Sequence, residues 1–387
     1  MKNFTVKKAL PILILLGLIA IQGQTLAAYA RLNIGNLMLN RLMADPSENL
    51  ILSPEQFFLL ATRSSVTNRA AWRGVGLASV LRGDLEAAVH AWQRAEKPGR
   101  ELIDFGEQRI REGKQDEGLY WLQAAAELDF AATATPLASL MHDQKNFEGA
   151  INLWERALAS YPKSPKRLTW WQGLSRSLLS NEEWQKAEEI SEQALNEFPG
   201  NPQLLTSLGS ALLGLGADFE TISDVLERAI SLDDSNAEAN SVMARLMLRE
   251  NYYEESFTYF DRAIKRDPTV KWWYVARANS ARQLGNLEKA RTLLLGTIDL
   301  FPGFAPAYYE LAWIYRLTDD PIRAQNAIQQ ALNLHNSPPV NYYVRAGDIY
   351  AWSNELEQAQ TAYEQASQLA PNDQRVIQGL ESLGKSE

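Results

Sequence analysis

The side chains best suited to chemistry in this sequence are its paired carboxylates, Glu182 with Glu183, Glu188 with Glu189, Asp233 with Asp234 and Asp319 with Asp320, and three histidines, His90, His142 and His335. A carboxylate pair works as acid and base, or holds a cation, only when both groups project into one protected cleft. Here each pair falls at a helix end or an exposed helical position, where solvated charge is the ordinary outcome. The histidines stand far apart in the chain and share no segment, which argues against a histidine-rich metal site. Cysteine is absent, which removes disulfides, thiol nucleophiles, sulfur-ligated zinc and a lipid-modified cysteine. No G-x-G-x-x-G turn, phosphate loop, H-E-x-x-H helix or G-x-S-x-G elbow occurs. The expectation is a protein that is not an enzyme and has neither cofactor nor metal. Its eleven tryptophans and its arginines must then be explained by the elements that position them.

With 46% apolar and 22% charged residues in 387, the chain can bury a large core. A net charge of -9 argues against nucleic acid as the main partner, because phosphate binding needs a basic face. At the amino end Lys2, Lys7 and Lys8 precede an apolar run from Ala9 to Ile21, and Ala28 and Ala30 follow in an A-x-A arrangement. Residues 1–30 therefore read as a secretory signal, cleaved after the small residues, or as a signal-anchor whose helix continues to Ala30. Either form keeps the lysines in the cytoplasm and sends the rest across the membrane. The expected location is extracytoplasmic, periplasmic or at the cell surface, secreted or held by the amino-terminal helix.

The rest of the chain repeats. Numbering Val340 as phase 1, the segment VNYYVRAGDIYAWSNELEQAQTAYEQASQLAP places Tyr343 at phase 4, Gly347 at 8, Tyr350 at 11, Ala359 at 20, Tyr363 at 24, Ala366 at 27 and Pro371 at 32. The same phases recur from starts at Ala305, Lys271, Ala237, Pro202, Leu168, Ala131, Gly99 and Arg69, nine in all. Phase 27 is Ala331, Ala263, Ala229, Ala194, Ala157, Ala125 and Ala95, failing only at Thr297, and phase 24 is large except at Ser191. Phase 4 holds Tyr308, Tyr274, Leu205, Trp171, Leu102 and Trp72. Turn formers such as Lys145-Asn146, Glu250-Asn251, Gly285-Asn286 and Asp319-Asp320 separate the two halves of each unit. Proline then ends the second half at Pro162, Pro199, Pro268 and Pro302.

This pattern resembles the tetratricopeptide repeat, W-x2-L-G-x2-Y followed by A-x3-F, then A and P. The resemblance implies an all-α fold, a right-handed superhelical solenoid of stacked antiparallel helix pairs. Small residues at phases 8, 20 and 27 let the helices of a pair approach, and large ones at 4, 7, 11 and 24 fill the space around them. Trp72, Trp92, Trp154 and Trp171 fall at such core phases. The nine repeats occupy residues 69–373, and residues 374–387 form a capping helix and tail. Residues 28–68 read as a degenerate first repeat, with Gly35 at phase 8, Phe58 at 24, Ala61 at 27 and an insertion around Asp45 to Leu52. No span of a hundred residues is left for an enzyme domain.

In the family so resembled, phases 2, 5, 9, 12 and 13 of the first helix line a concave groove. Carried onto this chain they give Trp272, Val275, Asn279, Arg282, Tyr309, Trp313, Arg316, Asn341, Asp348 and Trp352, with Glu238, Arg245, Arg249 and Arg176 further back. Five arginines against two acids, in an acidic chain, suit a polar or anionic occupant. Aromatic rings beside arginines stack on sugars or anchor peptides whose carboxylates meet the guanidinium forks; the same residues also serve simply to pack helix on helix. The lysine and asparagine clamp by which some relatives grip a carboxy terminus is not reproduced, since phase 5 holds Val275, Tyr309 and Val344. The resemblance thus implies a scaffold binding other proteins or peptides, with polysaccharide as the alternative ligand and the membrane as a further partner if the leader is retained.

Overall fold

The computed structural model describes residues 23–41, 53–64, 67–82, 84–95 and 99–384. The charged and apolar leader at 1–22, the insertion at 42–52 and the turn at 96–98 lie outside the described residues. Among the described residues every regular element is a helix, and none is long and apolar enough to cross a membrane.

The chain forms two compact units, Met1–Asn181 and Glu182–Glu387, with the division inside the repeat that starts at Leu168. The first contains α1 (23–41), α2 (Pro54–Ala61), α3 (Asn68–Leu81), α4 (Leu85–Arg94), α5 (Gly99–Arg111), α6 (Gln115–Leu128), α7 (Phe130–Asp143), α8 (Phe147–Ser160) and α9 (Arg167–Ser180). The second contains α10 (Trp184–Glu197), α11 (Pro202–Leu215), α12 (Phe219–Leu232), α13 (Ala237–Arg249), α14 (Tyr253–Arg266) and α15 (Lys271–Gln283). It continues with α16 (Leu287–Leu300), α17 (Ala305–Leu317), α18 (Pro321–Asn333), α19 (Val340–Trp352), α20 (Leu356–Leu369) and α21 (Gln374–Gly384). Within each unit helices pack on their neighbours in sequence, and the first helices of successive pairs, such as α5 with α7, α11 with α13 and α15 with α17, also touch. This nearest-neighbour pattern is that of a stacked repeat.

The hairpin turns share one backbone solution. Phase 15 is left-handed wherever it is described: Gly113, Lys145, Glu182, Gly216, Asn251, Gly285, Asp319 and Asn354 all have φ between 59° and 79°. The next amide then reaches back to the carbonyl five residues earlier, as Asn146 N does to Met141 O (2.8 Å) and Asp320 N to Tyr315 O (2.9 Å). This is the Schellman closure of a helix end. In four turns the residue donating that bond also caps the second helix with its side chain: Asp84, Asn146, Asn286 and Asp320 each accept the amide three residues on, at 3.0–3.1 Å.

Packing between helices follows the small and large phases. Every described phase-27 residue is fully buried, including Thr297, whose hydroxyl is satisfied by Leu293 O at 2.8 Å. The phase-24 side chain lies on phase 8 of its own pair, on phase 6 of the next first helix, or on both. Phe58 presses on Gly35 and Gly74, Tyr363 on Gly347 and Gly379, Trp92 on Gly76, and Trp154 on Gly173. The tryptophan expectations need one correction. Trp92 and Trp154 are buried, but Trp72 and Trp171 are only half-buried, beneath the guanidinium groups of Arg94 and Arg167. The buried ring on α9 is Trp170, whose Nε1 donates to Thr135 Oγ1 of α7 at 3.1 Å. α9 opens at Arg167, one residue ahead of the repeat start, and the inward position moves with it.

His142, on α7, is held between α7 and α9, with Nδ1 and Ser177 Oγ 3.1 Å apart and the ring edge-on to Phe147. Burial lowers its pKa below the ordinary 6.5, Arg176 lowers it further, and Asp143 opposes both. The unfolded chain therefore takes up this proton first, and stability falls as pH drops through about 6.5 towards the lower folded value. Denaturant midpoints at pH 7.5 and 5.5 should differ less for His142→Gln than for the parent protein. An unchanged difference would mean that other groups carry the acid sensitivity.

Candidate functional site

Three of the groove residues, Glu238 and Arg245 on α13 and Trp272 on α15, meet in one cleft of about 800 Å³ in the second unit. Its positioning starts at Asn236, the cap of α13. The Asn236 side chain accepts Ala239 N at 2.9 Å and donates to Thr206 Oγ1 of α11 at 3.1 Å, which fixes the start of α13 against the preceding pair. The turn into α15 is set by Asp267, whose carboxylate accepts the amide and hydroxyl of Thr269 at 2.9 and 2.6 Å. Phe260 and Val242, both buried, form part of the lining with Ser210 of α11, and Trp273 and Ala276 line it from α15.

Trp272 stands 62% exposed at this cleft, its ring held edge-on to Phe304 with centroids 5.1 Å apart. A large ring left so open is the kind of surface that gains most from a partner. Arg245 opens to solvent by area, but the concave wall surrounds it closely enough that desolvation draws its pKa down, with Glu238 pulling the other way. A guanidinium partly stripped of water binds a carboxylate more strongly than one on a flat surface.

The other groove residues are placed differently. Arg249 is committed to the fold, donating to Ala217 O at the end of α11 (3.0 Å) and to Glu250 (2.7 Å). Val275 is buried, and Trp352 packs partly buried against the core around α17 and α19. Arg282 donates to Asn279 on its own helix, and its Nε is buried without a partner. Tyr309, Trp313 and Arg316 of α17 come together with Arg345 of α19, a residue the groove phases omit. Arg345 lies 3.6 Å over the Tyr309 ring and 5.2 Å over Trp313, and its Nη1 donates to Tyr309 O and Glu310 Oε1, both at 3.1 Å. Arg316 also lies over Trp313, at 4.6 Å, and Tyr309 stacks on Tyr342 at 4.4 Å. Burial, with Tyr309 and Glu310 adding to it, pushes the Tyr342 hydroxyl up to about 12. Arg345, Tyr309, Glu310 and Trp313 satisfy one another and join α17 to α19, while Arg316 has its Nε buried without a hydrogen-bond partner. Asp348 accepts the Tyr363 hydroxyl at 2.7 Å, and Asn341 is half-buried. Arg176, in the first unit, is exposed.

The phases missed Arg345 because they mark groove-facing positions, whereas Arg345 sits at phase 6, where successive first helices touch. The signal was Glu310 at the same phase one repeat earlier, an acid and a base at matched positions on adjacent helices.

Comparison with known proteins agrees with this architecture. A tetratricopeptide repeat model matches residues 137–202 and 275–321, and a second one matches 340–373. A tetratricopeptide repeat-containing protein of Caenorhabditis elegans, trd-1, is 22% identical over 196 residues, 50% of this chain and 24% of that protein. The chain thus spans about a quarter of the length of that curated relative. Among solved structures, yeast Tom70 superposes with a TM-score of 0.50 at 16% identity, over 93% of this chain and 88% of that one. PilW, described as a type IV pilus biogenesis factor, gives 0.51 at 18% identity, over 56% of this chain and all of that one. At these identities the likeness is one of fold. Residues 137–202, 275–321 and 340–373 are tetratricopeptide repeats, and the helix pairs around them are built on the same plan.

Proposed function

We propose that this protein is a non-catalytic scaffold that holds a polypeptide partner at the α13/α15 cleft of its second unit. The observation that carries the reading is the exposed Trp272 at the same cleft as the partly desolvated Arg245. An aromatic or aliphatic side chain of the partner covers the ring while an acidic one meets the guanidinium. Repeat scaffolds of this kind offer rigid concave surfaces whose specificity lies in a few such residues. On the basis of Lys2, Lys7, Lys8 and the apolar run that follows, the scaffold acts outside the cytoplasm, in envelope assembly, secretion or surface polysaccharide export. The same leader anchors it when uncleaved. The glycan reading narrows to Trp272, because Trp313 is already covered by Arg316 and Arg345.

A photo-crosslinking residue placed at position 272 in the native host should give one discrete protein adduct, reduced at least tenfold by Arg245→Glu. An adduct unaffected by that charge reversal, or none at all, would remove the cleft as the partner site. Binding of Trp272→Ala to envelope polysaccharide, compared with the parent protein, tests the glycan alternative in the same preparation.

A further inference from the structure

The opposite face of α13 carries a second cavity, of about 410 Å³, lined by Ile230, Asp234, Asn240, Arg262, Lys265 and Arg266. Its origin is a break in the repeat. Phase 4 is a large side chain in every repeat except those that start at Ala131, where it is Ala134, and at Ala237; in the two pairs after α13 and α14 it is Tyr274 and Tyr308, whose hydroxyls donate to the carbonyls of Pro268 and Pro302 at 3.1 and 3.2 Å. Tyr274 also meets Phe301, at phase 31, edge to face at 5.4 Å. In the pair formed by α13 and α14 both rings are missing, with Asn240 at phase 4 and Asp267 at phase 31. The cavity lies at Asn240, where the following pair has the Tyr274 ring, and the end of α14 supplies three cations around it, while Asp267 lines the partner cleft.

We infer that this cavity is a binding site for a small hydroxyl-bearing anion, such as an acidic sugar or a sugar phosphate. Asn240 is 1% exposed; its Nδ2 donates to Asn236 O at 2.9 Å, and its Oδ1 has no hydrogen-bond partner. A buried acceptor without a donor is destabilising, and a ligand hydroxyl supplies that donor. The cations are only lightly committed. Arg266 reaches Asp234 at 3.7 Å with both side chains well exposed, Lys265 meets Asp261 at 2.8 Å while 73% exposed, and Arg262 lies over Tyr259 with no ion pair. With Asp234 the only acid lining the cavity, the lining carries net positive charge in a chain whose total is -9. Guanidinium groups are the natural receptors for a carboxylate or phosphate, and the volume falls in the range of small-molecule pockets. Glu238 and Arg245, the charged residues of the cleft on α13, project roughly 160° and 140° away from Asn240 by helical spacing, so variants at Asn240, Arg262 and Arg266 test this site without altering those cleft charges.

The test is a thermal shift of the full chain with glucuronate, glucose 6-phosphate and uncharged glucose, repeated on Asn240→Tyr and on Arg262→Gln/Arg266→Gln. At a ligand concentration about five times Kd the parent protein should gain about 2–4 °C from at least one of the two sugar anions and nothing from glucose. Asn240→Tyr, which supplies the ring found in the two following pairs, should abolish the shift while folding at least as stably as the parent. The arginine double variant should also lose it. The response to glucuronate or to glucose 6-phosphate identifies which anion the site takes. No shift from either anion, an equal shift from glucose, or a shift retained in Asn240→Tyr would overturn the assignment.

Discussion

Trp154→Ala should destabilise the first unit by about 3–5 kcal/mol, the cost of removing the largest kind of buried side chain without room for collapse. Trp154 is 2% exposed and lies on Gly173, the position on α9 where a side chain of any size would strike its ring. Ala150 and Ala157, one turn before and after it on α8, are fully buried and too small to move into the space. Its indole Nε1 is buried without a hydrogen-bond partner, so Trp154→Phe removes an unsatisfied donor along with some volume and should cost clearly less, about 1–2 kcal/mol. Because repeats exchange stability mainly with their neighbours, native-state hydrogen exchange should rise first in α7, α8 and α9. A loss under about 1 kcal/mol for alanine, or equal losses for alanine and phenylalanine, would show that the notch on Gly173 does not bear on stability.

That pairing shows which parts of the fold were legible in the sequence. Helix pairs, their turns and the buried alanines follow from one 34-residue period, because each phase has a single steric duty. Phase 15 is the clearest case: among the described residues it is glycine at Gly113, Gly216 and Gly285, yet Lys145, Glu182 and Asp319 adopt the same left-handed backbone, so the closure is imposed by the hairpin and not chosen by residue type. The phase-6 contact was harder to see, because it joins different repeats. Its trace is a covariation along the chain. Glycine follows at phase 6 where phase 24 is Phe58, Trp154 or Tyr363, and alanine where it is Phe260, whereas Leu294 and Ile328 are followed by Glu310 and Arg345. Trp92, followed by Asp104, breaks the rule and uses Gly76 instead.

The candidate site was legible to a similar depth. Phases 2 and 9 led to Trp272 and Arg245, which do share a cleft, because a first-helix position facing the groove keeps that direction from repeat to repeat. They could not separate residues open to a partner from residues used by the scaffold. Arg249 and Trp313 satisfy the same spacing, but their partners, Ala217 O and Arg345, come from other repeats, and Arg316 is laid over Trp313 on its own helix. Asn240 carries the opposite lesson: a departure from the pattern was the informative position, and it marks a cavity.

The carboxy-terminal cap should come away in Gly379→Val. Tyr363 of α20 lies between Gly347 of α19 and Gly379 of α21, and a Cβ at position 379 would meet its Cζ at 2.5 Å and Cδ1 at 2.7 Å. The ring has no free direction, because its hydroxyl donates to Asp348 at 2.7 Å and burial raises its pKa far enough to keep that proton in place. Relief therefore comes from lifting α21, which uncovers Val376 and Leu380 and the surface of Val344 and Ala366 they cover. Overpacking alone costs about 1–3 kcal/mol, and among the described residues α21 packs on α19 and α20. Trypsin should then cut after Arg375 at least tenfold faster than in the parent protein, with α1 to α18 retaining their hydrogen-exchange protection. Tyr363→Phe, which keeps the ring and loses only the hydroxyl, should leave that cleavage rate within about threefold. If Gly379→Val resists trypsin as the parent does, the ring moves instead of the helix, and the cap is held by contacts other than the glycine notch.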